Sequence, residues 1–149
     1  MNGTITVLVV DDDAALLRLL STVLSNAFGE EIQIEVLDNP REACNFLDRH
    51  AVDVLLTDLE MPEMNGVDLQ KFARARNAFT QVLFLTGHST QQTILDALEC
   101  GATDYLLKPV DRELLVELVR QAVQRVTRWR RALGETWRQR RRETAAQGS

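Results

Sequence analysis

The chain is poor in residues that build thiol or imidazole sites, with two cysteines and two histidines among 149 residues. Cys44 and Cys100 stand at apolar positions of helical segments, with no CxxC spacing and no adjacent histidine. This excludes a disulfide framework and a zinc site, and reads both as buried, reduced thiols. Long hydrophobic runs are missing too. No apolar stretch reaches the roughly 18 residues of a membrane span. The opening MNGTITVLVV has no basic region, long apolar segment or cleavage site. A cytoplasmic protein with no membrane partner is expected. No repeat or low-complexity segment is present either.

What is present is an apolar fraction of 45%, ample for the core of one domain. The net charge of −5 conceals a division. Residues 1 to 110 carry seven Lys and Arg against seventeen Asp and Glu, whereas residues 111 to 149 carry ten Arg against five acids. An acidic domain followed by a basic helix or arm is the expected organisation.

Short apolar runs alternate with segments of helical periodicity. Strands are expected at about Ile5 to Val10, Ile32 to Leu37, Val52 to Thr57, Val82 to Leu85 and Tyr105 to Leu107. Helices are expected from Ala14 to Phe28, from Pro40 to about Arg49, from about Val67 to Ala75, from after Ser89 to near Gly101, and beyond a cap at Asp111. Gly29 marks one helix end, and Asp38 or Asn39 can cap the helix that opens on Pro40. Five strands alternating with five helices need crossover connections, hence a parallel sheet covered on both faces. The fold class is α/β, a doubly wound, flavodoxin-like five-stranded sheet with an extended C-terminal helix. Alternation alone leaves strand order open. The order 2-1-3-4-5 is a common solution, with its switch point between the first and third strands.

Four of these runs end in chemistry: Asp11 and Asp12 after ITVLVV, Asp58 after VDVLLT, Thr86 ending QVLFLT, and Lys108 after DYLL. In the 2-1-3-4-5 order three carboxylates meet at one mouth, where they would force a proton onto one of them unless a cation intervenes. An all-oxygen set without Cys or His suits Mg²⁺ better than Zn²⁺. Lys108 and Thr86 approach from the other side with a positive charge and a hydroxyl, as a phosphoryl group on Asp58 would require.

The ordered motifs VVDDD, TDLEMPEMNG, FLTGH and YLLKP resemble the receiver (CheY-like) domain of two-component response regulators, over about Ile5 to Val126. The resemblance implies the 2-1-3-4-5 order and transfer of a phosphoryl group from a sensor histidine kinase or phosphotransfer protein. By matching position, Asp58 is then the phosphoacceptor. Asp11, Asp12 and Asp58 hold Mg²⁺, with the backbone carbonyl of Glu60 completing the protein ligands. Thr86 is the switch hydroxyl, Lys108 the phosphoryl-binding cation, usually before a cis peptide, and Tyr105 the aromatic switch residue. Such a protein is a switch, with slow self-dephosphorylation at most. The rival enzyme reading is an aspartate-dependent phosphohydrolase, from Asp58 and Glu60 at DxE spacing, but that class resembles DxD after a first strand. A flavodoxin-like cofactor binder would want a Ser/Thr/Gly-rich first loop, where this chain has the acidic DDDAALL.

Other residues have plainer readings. Asp13 is expected to cap the first helix, Gly66 to be a turn residue of positive φ, and Gly87 to keep the phosphoryl site open by its size. Glu60 and His88 match variable flanking positions. The domain division is 1–126 for the receiver and 127–149 for a basic helical extension or linker with a frayed end. Leu115, Val119, Ala122, Val126, Trp129 and Leu133 recur at alternating spacings of four and three. Trp129, Leu133 and Trp137 lie beyond the expected sheet edge, so they are expected to pack on a second copy, an output domain or the receiver itself. Gly134 and the Arg138 to Arg142 cluster predict fraying after about Leu133. No nucleic-acid reading module is visible, and sequence-specific binding is not expected.

Overall fold

The computed structural model describes residues 3–87 and 89–147, without the side chains of Trp137 and Arg138. The sequence expectations for His88 and for the Trp137 side chain therefore lie outside the described residues.

The chain forms β1 (Ile5–Val10), α1 (Ala14–Phe28), β2 (Ile32–Leu37), α2 (Pro40–Arg49), β3 (Val54–Asp58), α3 (Gly66–Arg76), β4 (Gln81–Thr86), α4 (Gln91–Glu99), β5 (Asp104–Leu107) and α5 (Arg112–Gln147). All four strand pairings are parallel, in the order β2-β1-β3-β4-β5. Alternate residues of each strand feed opposite faces. Val7, Val9, Leu56, Leu83 and Leu85 pack with Leu20 and Leu24 of α1 and with Leu115 and Val119 of α5. Leu8, Val10, Leu55, Val82 and Phe84 pack with Ala43, Leu69 and Ala97 of α2, α3 and α4. Both faces are covered, which is why the strands read as continuous apolar runs.

Local signals place the helix starts. Asp13 accepts from the amides of Ala15 and Leu16, Asn39 from Arg41, and Asp111 from Glu113 and Leu114. Three expectations are corrected. β3 starts two residues late, at Val54, because the Asp53 carboxylate is drawn aside to accept from the Thr6 amide at 2.9 Å. Cys44 and Cys100 are free but only partly buried, Cys44 within α2 and Cys100 just past the end of α4, each packed against the edge of the core.

Gly66 has no positive φ; among the described residues only Gly29 and Gly101 do. Gly66 is the first residue of α3, and an added Cβ would lie 2.5 Å from the Asp58 carbonyl oxygen and 2.9 Å from Leu59 Cα. What it provides is close approach of helix to strand.

α5 is continuous through Gly134 to Gln147. One glycine costs a helix only about 1 kcal/mol, too little by itself to end it. The interhelical seam also divides. Leu115, Val119, Ala122 and Val126 are buried in the core, while Trp129 and Leu133 stay substantially exposed.

Three α5 side chains tie the helix to the pole of the sheet opposite the strand C-termini. Arg125 donates to Gln81 Oε1 at 3.2 Å, and the Trp129 ring lies 5.9 Å from that of Phe79. Arg130 donates to Asp53 Oδ1 at 2.7 Å and to the Gly3 carbonyl at 3.1 Å. Asp53 is nearly buried, so Arg130→Ala leaves a desolvated carboxylate short of a partner. A loss of about 1.5 kcal/mol is expected, since the arginine itself is part-exposed. Urea denaturation measures it, and an unchanged midpoint would show that the extension is not tied down.

Candidate functional site

β1 and β3 are neighbours, so the residues at their C-terminal ends meet in the crevice at the switch point. Asp11 follows β1 directly and is fully buried; its Oδ1 accepts from the Asp13 amide at 2.9 Å. Asp12, next along, is exposed, and Asp58 closes β3. Carboxylate oxygens of Asp11, Asp12 and Asp58 all lie within 4.8 Å of one another.

Lys108 leaves β5 toward the same mouth. Its amide donates to the Thr86 carbonyl at 2.9 Å, and the Lys108-Pro109 peptide is cis, as the resemblance implied. Nζ lies 2.8 Å from Asp11 Oδ2 and 3.3 Å from Asp58 Oδ2. The Glu60 amide donates to Asp58 Oδ1 at 3.2 Å, while the Glu60 residue itself is exposed. Burial pushes the Asp58 carboxyl above its ordinary pKa and the Asp11 charge adds to this, outweighing the Glu60 amide and Lys108. Burial alone would lower Lys108, but its bonds and charge interactions with Asp11 and Asp58 carry it above its usual value.

The donor set fits a hard divalent cation. It offers three carboxylates at close range, and among the described residues the fully buried Asp11 has only the Asp13 amide and Lys108 to meet its charge. With no thiolate or imidazole among the donors, the chemistry favours Mg²⁺ over Zn²⁺.

Thr86 ends β4 and is buried. It lines a cavity of about 150 Å³ together with Leu59, Phe84, Ile94, Leu98 and Tyr105. The Tyr105 side of that cavity opens to solvent, the residue being 52% exposed. An added Cβ at Gly87 would meet Lys108 Cδ at 3.6 Å, an ordinary contact. The residues named from sequence thus fall into two adjoining groups, the acid and lysine mouth and the Thr86 and Tyr105 cavity. Sequence reasoning missed the contribution of Gly66 behind Asp58, because a helix-start glycine carries no signal of what its missing side chain avoids.

A doubly wound sheet with three acids and a lysine at its switch point is the architecture of a phosphorylation receiver. Residues 7–120 match the response regulator receiver domain family, and the chain belongs to that family. It is 36% identical over 119 residues to the regulatory protein AtoC of Escherichia coli K12, covering 79% of this chain and 25% of that protein. Against the response regulator protein PilR of Pseudomonas aeruginosa it is 34% identical over 116 residues, covering 78% and 25%. The chain therefore spans about a quarter of the length of these relatives. Among solved structures, the chemotaxis response regulator CheY4 of Vibrio cholerae superposes with a TM-score of 0.71 at 28% identity, over 80% of this chain and 99% of that one. A CheY-like receiver from Methanospirillum hungatei reaches 0.78 at 23% identity, over 85% and 98%, which speaks for the fold alone.

Proposed function

We propose that this chain is the phosphoacceptor switch of a two-component pathway, with Asp58 receiving the phosphoryl group from a sensor histidine kinase or phosphotransfer protein. The observation that carries the reading is the single mouth at which Asp58, Asp11, Asp12 and Lys108 converge. An Asp58 carboxylate oxygen attacks the phosphorus in line, the new P–O bond forms, and the donor leaves with the electron pair of its broken bond. Lys108 faces the transferred oxygens with its charge, and the Thr86 hydroxyl donates to one of them. Drawing Thr86 inward leaves room into which the Tyr105 ring turns, which alters the surface formed by α4, β5 and α5.

Asp11, Asp12, Asp58 and the backbone carbonyl of Glu60 would hold Mg²⁺, which when bound supplies neutralisation of phosphoryl charge. The receiver proper is residues 1–126, and 127–149 form a basic helical extension that couples it to a second copy or an output domain. The whole acts as a switch in the cytoplasm; among the described residues no helix is long and apolar enough to cross a membrane.

The test is incubation with Mg²⁺ and a small acyl phosphate, followed by peptide mapping. A base-labile, hydroxylamine-sensitive adduct at Asp58, as an acyl phosphate gives, is expected, and equal incorporation by Asp58→Asn would refute the reading. Asp12→Ala is expected to weaken Mg²⁺ binding by at least about tenfold, read by titration; unchanged affinity would remove Asp12 from the ligand set.

A further inference from the structure

We propose that Gln70 and Arg74 of α3 are positioning residues for the switch: they latch the C-terminal end of α4, so that α4 swings about that end when Thr86 moves. The proposal rests on the reading of Asp58 and Thr86 given above.

The exit of α4 is held in two ways. The first is internal. Gly101, at φ 90°, lets the chain reverse, its amide donating to the Leu98 carbonyl and the Ala102 amide to the Ala97 carbonyl, each at 3.0 Å. The second comes from the neighbouring helix. Gln70 Nε2 donates to the Cys100 carbonyl at 3.1 Å, and the Arg74 guanidinium donates to the Gly101 carbonyl. Carbonyls at a helix end lack intrahelical donors and carry the negative end of the dipole, so an amide and a guanidinium are fitting partners. Gln70 is fully buried, although its neighbours on α3 at Lys71 and Ala75 face solvent. The guanidinium lies close over Gly101, 2.9 Å from where a Cβ would stand.

The rest of α4 is held loosely. Only Ala97 within it is buried, and Leu95 and Leu98 are exposed. Among the described residues its first turn is secured by local bonds, from the Thr93 amide to Thr90 Oγ1 and between the two threonine hydroxyls. A cavity of about 150 Å³ runs beneath Ile94, Ala97 and Leu98 of α4 and extends to Thr86 and Tyr105. A helix fixed at one end and set over a void rotates about the fixed end when its other end is pulled. The pulled end is the one joined to Thr86.

α3 is a sound anchor for such a pivot. Its first residue, Gly66, is seated against the Asp58 backbone, and its amide donates to the Leu59 carbonyl at 2.8 Å. One helix therefore spans from the end of β3 to the end of α4.

Hydrogen exchange along α4, with and without Mg²⁺ and a beryllofluoride phosphoryl mimic, tests the proposal in the full chain. In the wild type the mimic is expected to change exchange in residues 91–95 and to leave 97–102 protected. In Arg74→Ala, exchange of 97–102 without the mimic is expected to rise about tenfold, and the mimic-induced change spreads along the whole helix. Arg74→Lys, which keeps the charge, restores part of the protection, a rescue that a merely packing role would not produce. Gln70→Met, of similar volume, should act in the same direction as Arg74→Ala. If Arg74→Ala and Gln70→Met both keep the wild-type pattern, the latch is overturned while the phosphoacceptor reading stands. A wild type that does not respond to the mimic overturns both.

Discussion

In Mg²⁺-free buffer near neutral pH, Asp58→Asn is expected to melt above the wild type, and added Mg²⁺ to narrow or reverse that order. The folded protein holds three carboxylates within 4.8 Å of one another against a single lysine, and burial raises the Asp58 pKa above its ordinary value. A raised folded-state pKa means that Asp58 favours folding most below its unfolded pKa. That contribution is lost as pH rises through the folded value. At neutral pH the wild type has lost it, whereas the neutral amide of the variant never imposes the cost. Each kcal/mol of relieved repulsion corresponds to a gain of about 3 °C in a domain of this size. Mg²⁺ stabilises only the form that binds it, so the wild type should gain and the variant should not. The stability difference should also shrink on acidification through the carboxylate range. Calorimetry from pH 4 to 8, with and without Mg²⁺, measures all of this. A variant less stable than the wild type in Mg²⁺-free buffer would show that the Lys108 ion pair outweighs the crowding of the acids.

Gly66→Ala is expected to damage both stability and phosphorylation. The new methyl would lie 2.5 Å from the Asp58 carbonyl oxygen, with Leu59 Cα and Phe84 Cε1 each at 2.9 Å. Two of those neighbours are backbone, so relief requires moving α3 or the end of β3. Overpacking of this kind costs about 1–3 kcal/mol, more than the gain in helix propensity from replacing glycine. Because the displaced backbone belongs to the nucleophile, phosphorylation by a small acyl phosphate should slow as well, by about 100-fold for a shift near 1 Å. Urea denaturation and the phosphorylation rate check the two arms. Retention of both would mean that the helix gives way without disturbing Asp58.

Local chemistry was legible at many positions. Asp13 and Asp111 cap the helices they were expected to cap, and of the candidates Asp38 and Asn39 it is Asn39 that caps α2, because capping involves residues two or three apart and leaves a signature within one window. The apolar runs of β1 and β2 were located to the residue. The boundary at β3 was not, because Asp53 bonds to Thr6, 47 residues away, and no short window contains that contact. Gly66 was misread for the same reason: the requirement for a bare α-carbon comes from Asp58, Leu59 and Phe84, not from its own turn. At α5 the sequence showed an apolar seam without its partners. The core takes Leu115 to Val126, and Phe79 lies beside Trp129.

By itself the sequence determined the alternation of strands and helices, and with it the placement of acids, hydroxyl and lysine at strand C-termini, since periodicity and strand ends are properties of neighbouring residues. Tertiary structure decided which strands lie side by side, how near Lys108 comes to Asp11 and Asp58, and where the extension of α5 rests. Those depend on contacts between residues that are distant in the chain. Hydrophobic burial favours any covered sheet, and only the packing of specific side chains and close-approaching backbones selects one arrangement.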